Sequence, residues 1–502
     1  MSIPPDDRAP VIIGIGETTE RPENLAAARD SLHLMADAMR TADADAGRGW
    51  LGQIDSLDIV RSVAWGYRDL PGDLCRQLEI TPKRVNLGPG GGERPTYDVH
   101  MAALAIAEGR SEVAVVCGGE SQWTVDRAIR NNITLPWPAD DRSTNPRRDR
   151  QQSLHPIAWK YGLHAPIHVY PLYENATLAA WGQSPTEAHW EGAQLWEGYS
   201  AVATSNPHAW MKKSYSAAEI GATSPRNRRV AWPYLKLMVA QASVNFGSAL
   251  IMTSYARALS MSIPENRMVF VIDGAAADEP KQYLERDRYD HSTAQDAVLK
   301  SLLQRREWTR SQFDFVELYS CFPTVAKMAR RTLGMPADPA PTVTGGLTFF
   351  GGPLNNYMSH AQIAMVRTLR RTPGASGLLY GQGGYLTNHH ALVLASAPSS
   401  LSRLGQFDVQ SEADRRRGPV PDIVDGFEGR ARVESFTVVY DRAGIAEFGV
   451  VIARNPLGAR LAARVNGEDV QTIALLTDPL HSPVGTYGSC TVNGEGFQIW
   501  KP

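Results

Sequence analysis

The sequence predicts a duplicated α/β fold followed by a small all-β domain, and three observations carry that prediction. First, Tyr97-x-x-His100 recurs as Tyr357-x-x-His360, 260 residues later. Each copy follows a glycine-rich loop and precedes an apolar strand with paired glycines at its end, Gly118-Gly119 and Gly383-Gly384. Second, apolar runs alternate with helical patterns up to about residue 404, as in βαβ units. Third, beyond residue 429 apolar and polar residues alternate with period two, broken by glycine turns at roughly ten-residue intervals.

Taken in order, residues 10–16 read as a buried strand, 24–39 as an alanine-rich helix, 54–59 as a strand, and 67–78 as a turn and helix. Residues 85–121 then give a strand end, a glycine-dense loop, a buried helix and a buried strand. Tyr97, His100, Ala103 and Ala107 fall near helical spacing, and the small alanines suit close packing. The apolar run 112–117 suits a strand covered on both faces. These elements predict a parallel sheet covered by helices.

Residues 122–234 break the pattern and read as a large insertion lying over the sheet. They are rich in Trp, Pro, His and Arg, with helical pieces at 171–181 and 185–203. The aromatics either line an apolar pocket or form the insertion's own core. Arg147, Arg148 and Arg150 either meet a nucleotide phosphate or form a solvated surface group. The strand pattern resumes at 234–259, and the second half runs from about 268 to 397. Residues 405–428, with Arg415, Arg416, Arg417, Pro419 and Pro421, read as a linker. Short strands are expected at 433–440, 448–453, 461–465, 472–476 and 488–492. They suggest a small antiparallel β-barrel, for which an OB-like form is one option.

The domain boundaries that follow are 1–121 with 235–262 for the first half, 122–234 for the insertion, 263–404 for the second half, 405–428 for the linker, and 429–502 for the barrel. A chain of 502 residues with net charge −2 gives no general reason to expect nucleic acid or a membrane surface. The barrel region lacks a basic groove with interleaved aromatics, which also argues against nucleic acid. No run approaches the roughly 20 apolar residues of a membrane span, and the opening residues lack the pattern of a signal peptide. Cys75, Cys117, Cys321 and Cys490 are scattered without metal-ligand spacing, as expected of reduced, mostly buried thiols in a cytoplasmic protein.

The order of strand, glycine loop, buried helix, Glu108-Gly109, apolar strand and Gly118-Gly119-Glu120-Ser121 resembles the thiolase superfamily, in particular its sterol-carrier-type, acetyl-CoA acetyltransferase-like branch. That resemblance implies a five-layer αβαβα fold, a loop domain at the insertion, and an acyl-thioester substrate. It also implies a nucleophilic cysteine at the start of the buried helix, which corresponds here to a position between Gly91 and Glu93, taken as Gly92. No cysteine occurs from residue 76 to 116. The family's Gly-His-Pro appears as Gly351-Gly352-Pro353, placing Gly352 where a histidine is expected. Its His-Asp-Cys-Phe appears as Tyr319-Ser320-Cys321-Phe322. The second cysteine, expected ahead of a glycine run, is matched by the segment that begins at Leu379-Tyr380 and has no thiol.

Thiolysis needs a nucleophile, an acid/base thiol and oxyanion donors, so the expectation is a protein that does not catalyse it. Cys321, His390 and Glu93 are the residues left to carry any other catalysis. Ser243, Gly346 and Gly384 are the substrate-contact candidates, and no metal is expected. His360 reads as a buried core histidine. The resemblance therefore implies a thiolase-like, non-thiolytic protein of acyl-CoA or lipid metabolism that binds coenzyme A or acyl-CoA, or serves as a partner subunit. Two alternatives stand: an acyltransferase or other acyl-thioester enzyme using non-standard residues, and a structural partner of an active thiolase or acyl-carrier protein. The C-terminal domain is a candidate protein-contact surface, and both monomer and homodimer remain open.

Overall fold

The computed structural model describes residues 6–141, 154–305, 313–398 and 404–502. Arg147, Arg148 and Arg150 lie outside the described residues.

The first half contributes β1 (Pro10–Thr19), β2 (Ser56–Val60), β3 (Arg84–Leu87), β4 (Val113–Ser121) and β7 (Asn245–Ser254). The second contributes β8 (Val269–Asp278), β9 (Phe315–Leu318), β10 (Ser376–Gly383) and β11 (Asn388–Ala395). Together they form one nine-stranded sheet in the order β3-β2-β4-β7-β1-β8-β11-β10-β9. The halves meet at the short pairing of Val11 with Phe270 and Ile12 with Val269.

The run β1-β7-β4-β2 and the run β8-β11-β10-β9 share strand order and direction: antiparallel, antiparallel, then parallel. This is the duplication expected from the repeated Tyr-x-x-His. The sheet is mixed, however, where a parallel one was expected. β7 and β11 enter against their neighbours, a reversal that period and composition do not encode.

Helices α1 (Ser31–Asp45), α2 (Leu70–Leu78), α3 (Arg94–Ala107) and α4 (Gln122–Arg130) belong to the first half and its exit. The insertion adds α5 (Pro156–Lys160), α6 (Pro166–Ala180), α7 (Pro185–Ser205) and α8 (Ala217–Gly221), with the short strands β5 (Arg229–Ala231) and β6 (Tyr234–Leu235). α9 (Tyr255–Ser260) follows β7 at the end of the first half, and the second half carries α10 (Thr293–Arg305), α11 (Pro323–Thr332) and α12 (Tyr357–Arg370). α3 and α12 pack against each other and against strands of both halves, forming the central layer. α1 covers β1, β4 and β7 from outside, while α10 and α11 cover β8, β11 and β9. This is the five-layer αβαβα arrangement. Nearly every residue from Tyr357 to Val366 is buried, as a helix packed between the two half-sheets requires.

The C-terminal domain has β12 (Gly429–Tyr440), β13 (Ala446–Arg454), β14 (Arg460–Asn466), β15 (Tyr487–Val492) and β16 (Gln498–Lys501). Their order β12-β13-β14-β16-β15, closed back onto β12, makes a five-stranded barrel. The third and fifth strands are parallel, an OB-type order.

Two expectations are corrected here. The segment at 472–476 belongs to a helix, Val470–Leu476, because the Asp469 carboxylate accepts the Thr472 amide at 3.1 Å and caps its first turn. The strand at 498–501 takes the fifth barrel position instead. The segment 405–428 is not a free tether either. It carries a helix, Gln410–Arg416, that packs on α10 with Ala413 fully buried. It is also pinned to β8 by Ala276 N–H donating to Phe407 O and Val409 N–H donating to Ala276 O. The barrel sheet extends into the insertion through the pairing of Val439 with Ala231. Among the described residues, no helix is long and apolar enough to cross a membrane.

Candidate functional site

A cavity of about 320 Å³ opens where the C-terminal ends of β9 and β10 face the loops that enter α3 and α12. Gly92, Tyr319, Cys321 and Gly352 all line it, joined by Gln382 and Gly384 from the end of β10. Motif positions spread over 260 residues thus meet in one place. Crevices at the carboxyl ends of strands are the usual ligand sites of α/β sheets. The remaining wall is largely apolar and includes Ile167 and Tyr170 of α6, Phe322 and Leu347.

The two glycines differ in the room around them. A Cβ on Gly92 would lie 2.3 Å from Tyr319 Oη and 2.5 Å from the Gln382 carbonyl oxygen, so that position has no space for a side chain. A Cβ on Gly352 would meet the Leu347 carbonyl at 3.3 Å and Ala240 Cβ at 3.4 Å, a tight fit that needs its neighbours to give by only a few tenths of an ångström. Cys321 is the thiol at the cavity. Its Sγ accepts Gln382 Nε2–H at 3.2 Å. Burial pushes the thiol pKa up to about 12, and the bonds from Tyr170 and Gln382 offset only part of that rise. At neutral pH it is a protonated, weakly nucleophilic group.

The other catalytic candidates lie away from the cavity. His390 is corrected most plainly: on β11, its Nε2 meets His100 Nδ1 at 2.9 Å, facing the central layer. Burial lowers its pKa well below the ordinary histidine range. Its neighbour His389 points the other way, with Nδ1 at 2.6 Å from Tyr380 Oη and Nε2 at 3.3 Å from Ser292 Oγ. Tyr380 is therefore part of a buried polar chain behind the cavity, where it also accepts Gln295 Nε2–H at 2.9 Å. Glu93 precedes α3 but turns its carboxylate onto Gly383 and Gly91, and it does not line the cavity. His360 is buried, and its Nδ1 meets Glu17 Oε1 at 2.6 Å.

Among the substrate-contact candidates, Gly384 lines the cavity while Ser243 and Gly346 do not. Ala240 and Ala242 line it on either side of Gln241, leaving half-buried Ser243 outside. Gly346 serves the backbone: its φ is +74°, and a Cβ there would meet Tyr199 at 2.4 Å. No group of three or more His, Cys, Asp or Glu is placed to hold a metal ion among the described residues.

A second, larger cavity of about 780 Å³ shares Val239 with the first. It carries the exposed cations Arg21, Lys213, Arg226 and Lys236, with Trp210 and Tyr215 among them. Arg21 lies over the Trp210 ring at 4.1 Å and Lys213 over Tyr215 at 4.6 Å. Sequence reasoning missed these residues. Arg21 follows β1 and reaches the insertion only through the fold. Tyr170 belongs to the aromatic set for which pocket and core readings were both open, and it lines the pocket.

A family model described as "Thiolase-like protein type 1 additional C-terminal domain" matches residues 408–491. The match begins within the docked segment, just ahead of its helix Gln410–Arg416. No curated protein matches the chain by sequence. Among solved structures, a monomeric SCP2-thiolase-like protein type 1 from Mycobacterium smegmatis is similar over 99% of each chain, with TM-score 0.82 and 26% identity. The Ltp2-ChsH2(DUF35) aldolase is similar over 77% of this chain and 97% of that one, with TM-score 0.55 and 18% identity. The dimeric peroxisomal thiolase of Saccharomyces cerevisiae is similar over 78% of this chain and 98% of that one, with TM-score 0.57 and 12% identity. The last two speak for the fold alone. With its duplicated half-sheets, its central helix pair and its added barrel, this chain has the thiolase fold, and its C-terminal region matches the additional domain of thiolase-like protein type 1.

Proposed function

We propose that this chain binds an acyl thioester of coenzyme A and does not cleave it by thiolysis. The observation that carries this reading is the occupied space at Gly92: a nucleophile has no room at the start of α3, and the thiol at the cavity, Cys321, stays protonated. Removing a nucleophile costs an enzyme far more than the roughly 10²–10³ in rate lost with one oxyanion donor. The two neighbouring cavities support the binding half of the proposal. The apolar one suits an acyl chain, and the cation-lined one suits phosphate groups and a stacked base.

Calorimetry with coenzyme A, acetyl-CoA and a long-chain acyl-CoA tests binding, and a thiolysis assay on the same preparation tests turnover. Binding without turnover is the expected result. A ligand at about 100 times its dissociation constant also adds about 2.7 kcal/mol to stability. Thiolysis abolished by Cys321→Ala would overturn the non-thiolytic reading. Failure of every acyl-CoA to bind would put the partner-subunit reading in its place.

A second reading is an acyl-thioester enzyme of different chemistry. It draws on the Tyr319 hydroxyl at the cavity and on a similar structure that is named an aldolase. Product formation from an acyl-CoA without free coenzyme A, lost in Tyr319→Phe, would favour it.

A further inference from the structure

Helix α6 has two working faces. On one, Tyr170 lines the apolar cavity, its ring stacked on Phe322 with centroids 4.4 Å apart and planes 11° apart. Its hydroxyl donates to Gln382 Oε1 at 3.2 Å and accepts Gln382 Nε2–H at 2.9 Å. On the opposite face the helix meets barrel strand β12. Asn175 Nδ2 donates to Phe436 O at 2.9 Å, and Ser435 Oγ donates to Leu172 O. Asn175 and Ser435 are both fully buried. Between these contacts sits Pro171, which lacks the N–H that would bond the Ile167 carbonyl and so weakens the helix where Ile167 and Tyr170 line the cavity.

The barrel is itself fixed to the body. Buried Arg460 donates to the Arg286 carbonyl at 2.6 Å and also to Leu284 O. A chain of buried contacts therefore runs from the body through β12 to Tyr170.

We infer that the C-terminal barrel completes the acyl site without touching the ligand. Ser435 and Asn175 are positioning residues that hold α6, and Tyr170 at its inner face closes the cavity and sets the chain length admitted. This rests on the acyl-thioester reading above for the ligand, but not for the contact between barrel and helix. Loosening the brace lets α6 retreat, deepening the cavity and favouring longer chains. Tyr170→Ala has the same direction of effect, because it removes the closing ring.

The test uses the full chain with Ser435→Ala, Asn175→Ala and Tyr170→Ala, and with Arg430→Ala as a control on the barrel's outer side, where Arg430 lies over exposed Tyr487. Hydrogen exchange without ligand is expected to rise about tenfold across residues 166–180 in Ser435→Ala and Asn175→Ala, the size expected for losing one buried bond. Exchange across 446–466 is expected to stay unchanged, and Ser435→Thr to keep native exchange. Dissociation constants for butanoyl- through hexadecanoyl-CoA are expected to shift preference toward longer chains in Ser435→Ala, Asn175→Ala and Tyr170→Ala, but not in the control. Unchanged exchange at 166–180 would overturn the brace. An equal loss of affinity for all chain lengths would overturn the length-setting role and leave only a structural one. If the native chain binds no acyl-CoA, the chain-length claim falls with the acyl-thioester reading, and exchange alone decides whether the barrel holds the helix.

Discussion

The two halves of the molecule present the same construction twice: a glycine loop, a Tyr-x-x-His helix in the central layer, and an apolar strand. They use it differently. In the first half, His100 meets His390 at 2.9 Å and the Leu404 carbonyl at 3.0 Å, and burial pulls its pKa down to about 4. In the second half, His360 meets the buried Glu17 carboxylate, which also pairs with Arg367. Burial pushes that carboxyl up, but the His360 bond and the charges of His360, Arg367 and His208 outweigh it and hold the pKa at about 2. The loops differ too, since Gly92 is closed by Tyr319 while Gly352 is tight but would take a Cβ with a small shift of its neighbours. A repeated backbone therefore fixes where a side chain sits, and the facing half decides what it can do.

The largest expected effect separates the two histidines. His360→Leu leaves Glu17 buried with one partner fewer and is expected to cost about 3–4 kcal/mol in urea unfolding. His100→Leu removes a neutral partner from His390 and Leu404 and is expected to cost about 1–2 kcal/mol. Equal losses would show that the two helices are energetically equivalent.

The same pair predicts two distinct acid limbs. Glu17 has a folded pKa near 2 against an ordinary value of 4.5, so its contribution is complete above pH 4.5 and is lost as pH falls toward 2. That limb is worth about 3 kcal/mol and should vanish in Glu17→Gln. His100, whose folded pKa of about 4 lies below its ordinary 6.5, binds its proton more readily when unfolded. Its contribution is therefore complete above pH 6.5 and is lost as pH falls toward 4. His100→Gln should shrink this upper limb, with His389 and His390 supplying the remainder. Stability followed by denaturant midpoint from pH 7 to 2 resolves the limbs.

The loop comparison comes next in size. Gly92→Ala is expected to cost about 2–3 kcal/mol through overpacking against Tyr319 and the Gln382 carbonyl. Tyr319→Ala in the same chain should recover about 1 kcal/mol of that loss, measured as a double-mutant cycle. Gly352→Ala is expected to cost about 1 kcal/mol or less, because its neighbours need give way by only a few tenths of an ångström. A Gly352 variant as costly as the Gly92 variant would break the contrast.

Much of this architecture was legible in the chain. The 260-residue recurrence marked the duplication, and the switch to period two marked the barrel. The lack of a thiol between residues 76 and 116 is plain from the residues themselves. The site was legible only as scattered motif positions. Gly92, Tyr319, Cys321, Gly352 and Gly384 do meet at the cavity, whereas His390 and Glu93 do not. His389 and His390 show why: adjacent residues on a strand point to opposite faces, and the placement of β11 turns His390 onto His100 in the central layer and His389 onto Tyr380 and Ser292, so neither lines the cavity.

By itself, then, the sequence determined the order of elements, the duplicated α/β plan and the added all-β domain. Those properties rest on short-range periodicity, which dictates the face a helix or strand must bury. Tertiary structure alone decided the mixed strand directions, the docked segment after residue 404, the helix at 470–476, and the barrel's grip on α6. It also decided that a tyrosine at 319 fills the space beside a glycine at 92. These depend on which residues, hundreds of positions apart, compete for one volume in a close-packed interior.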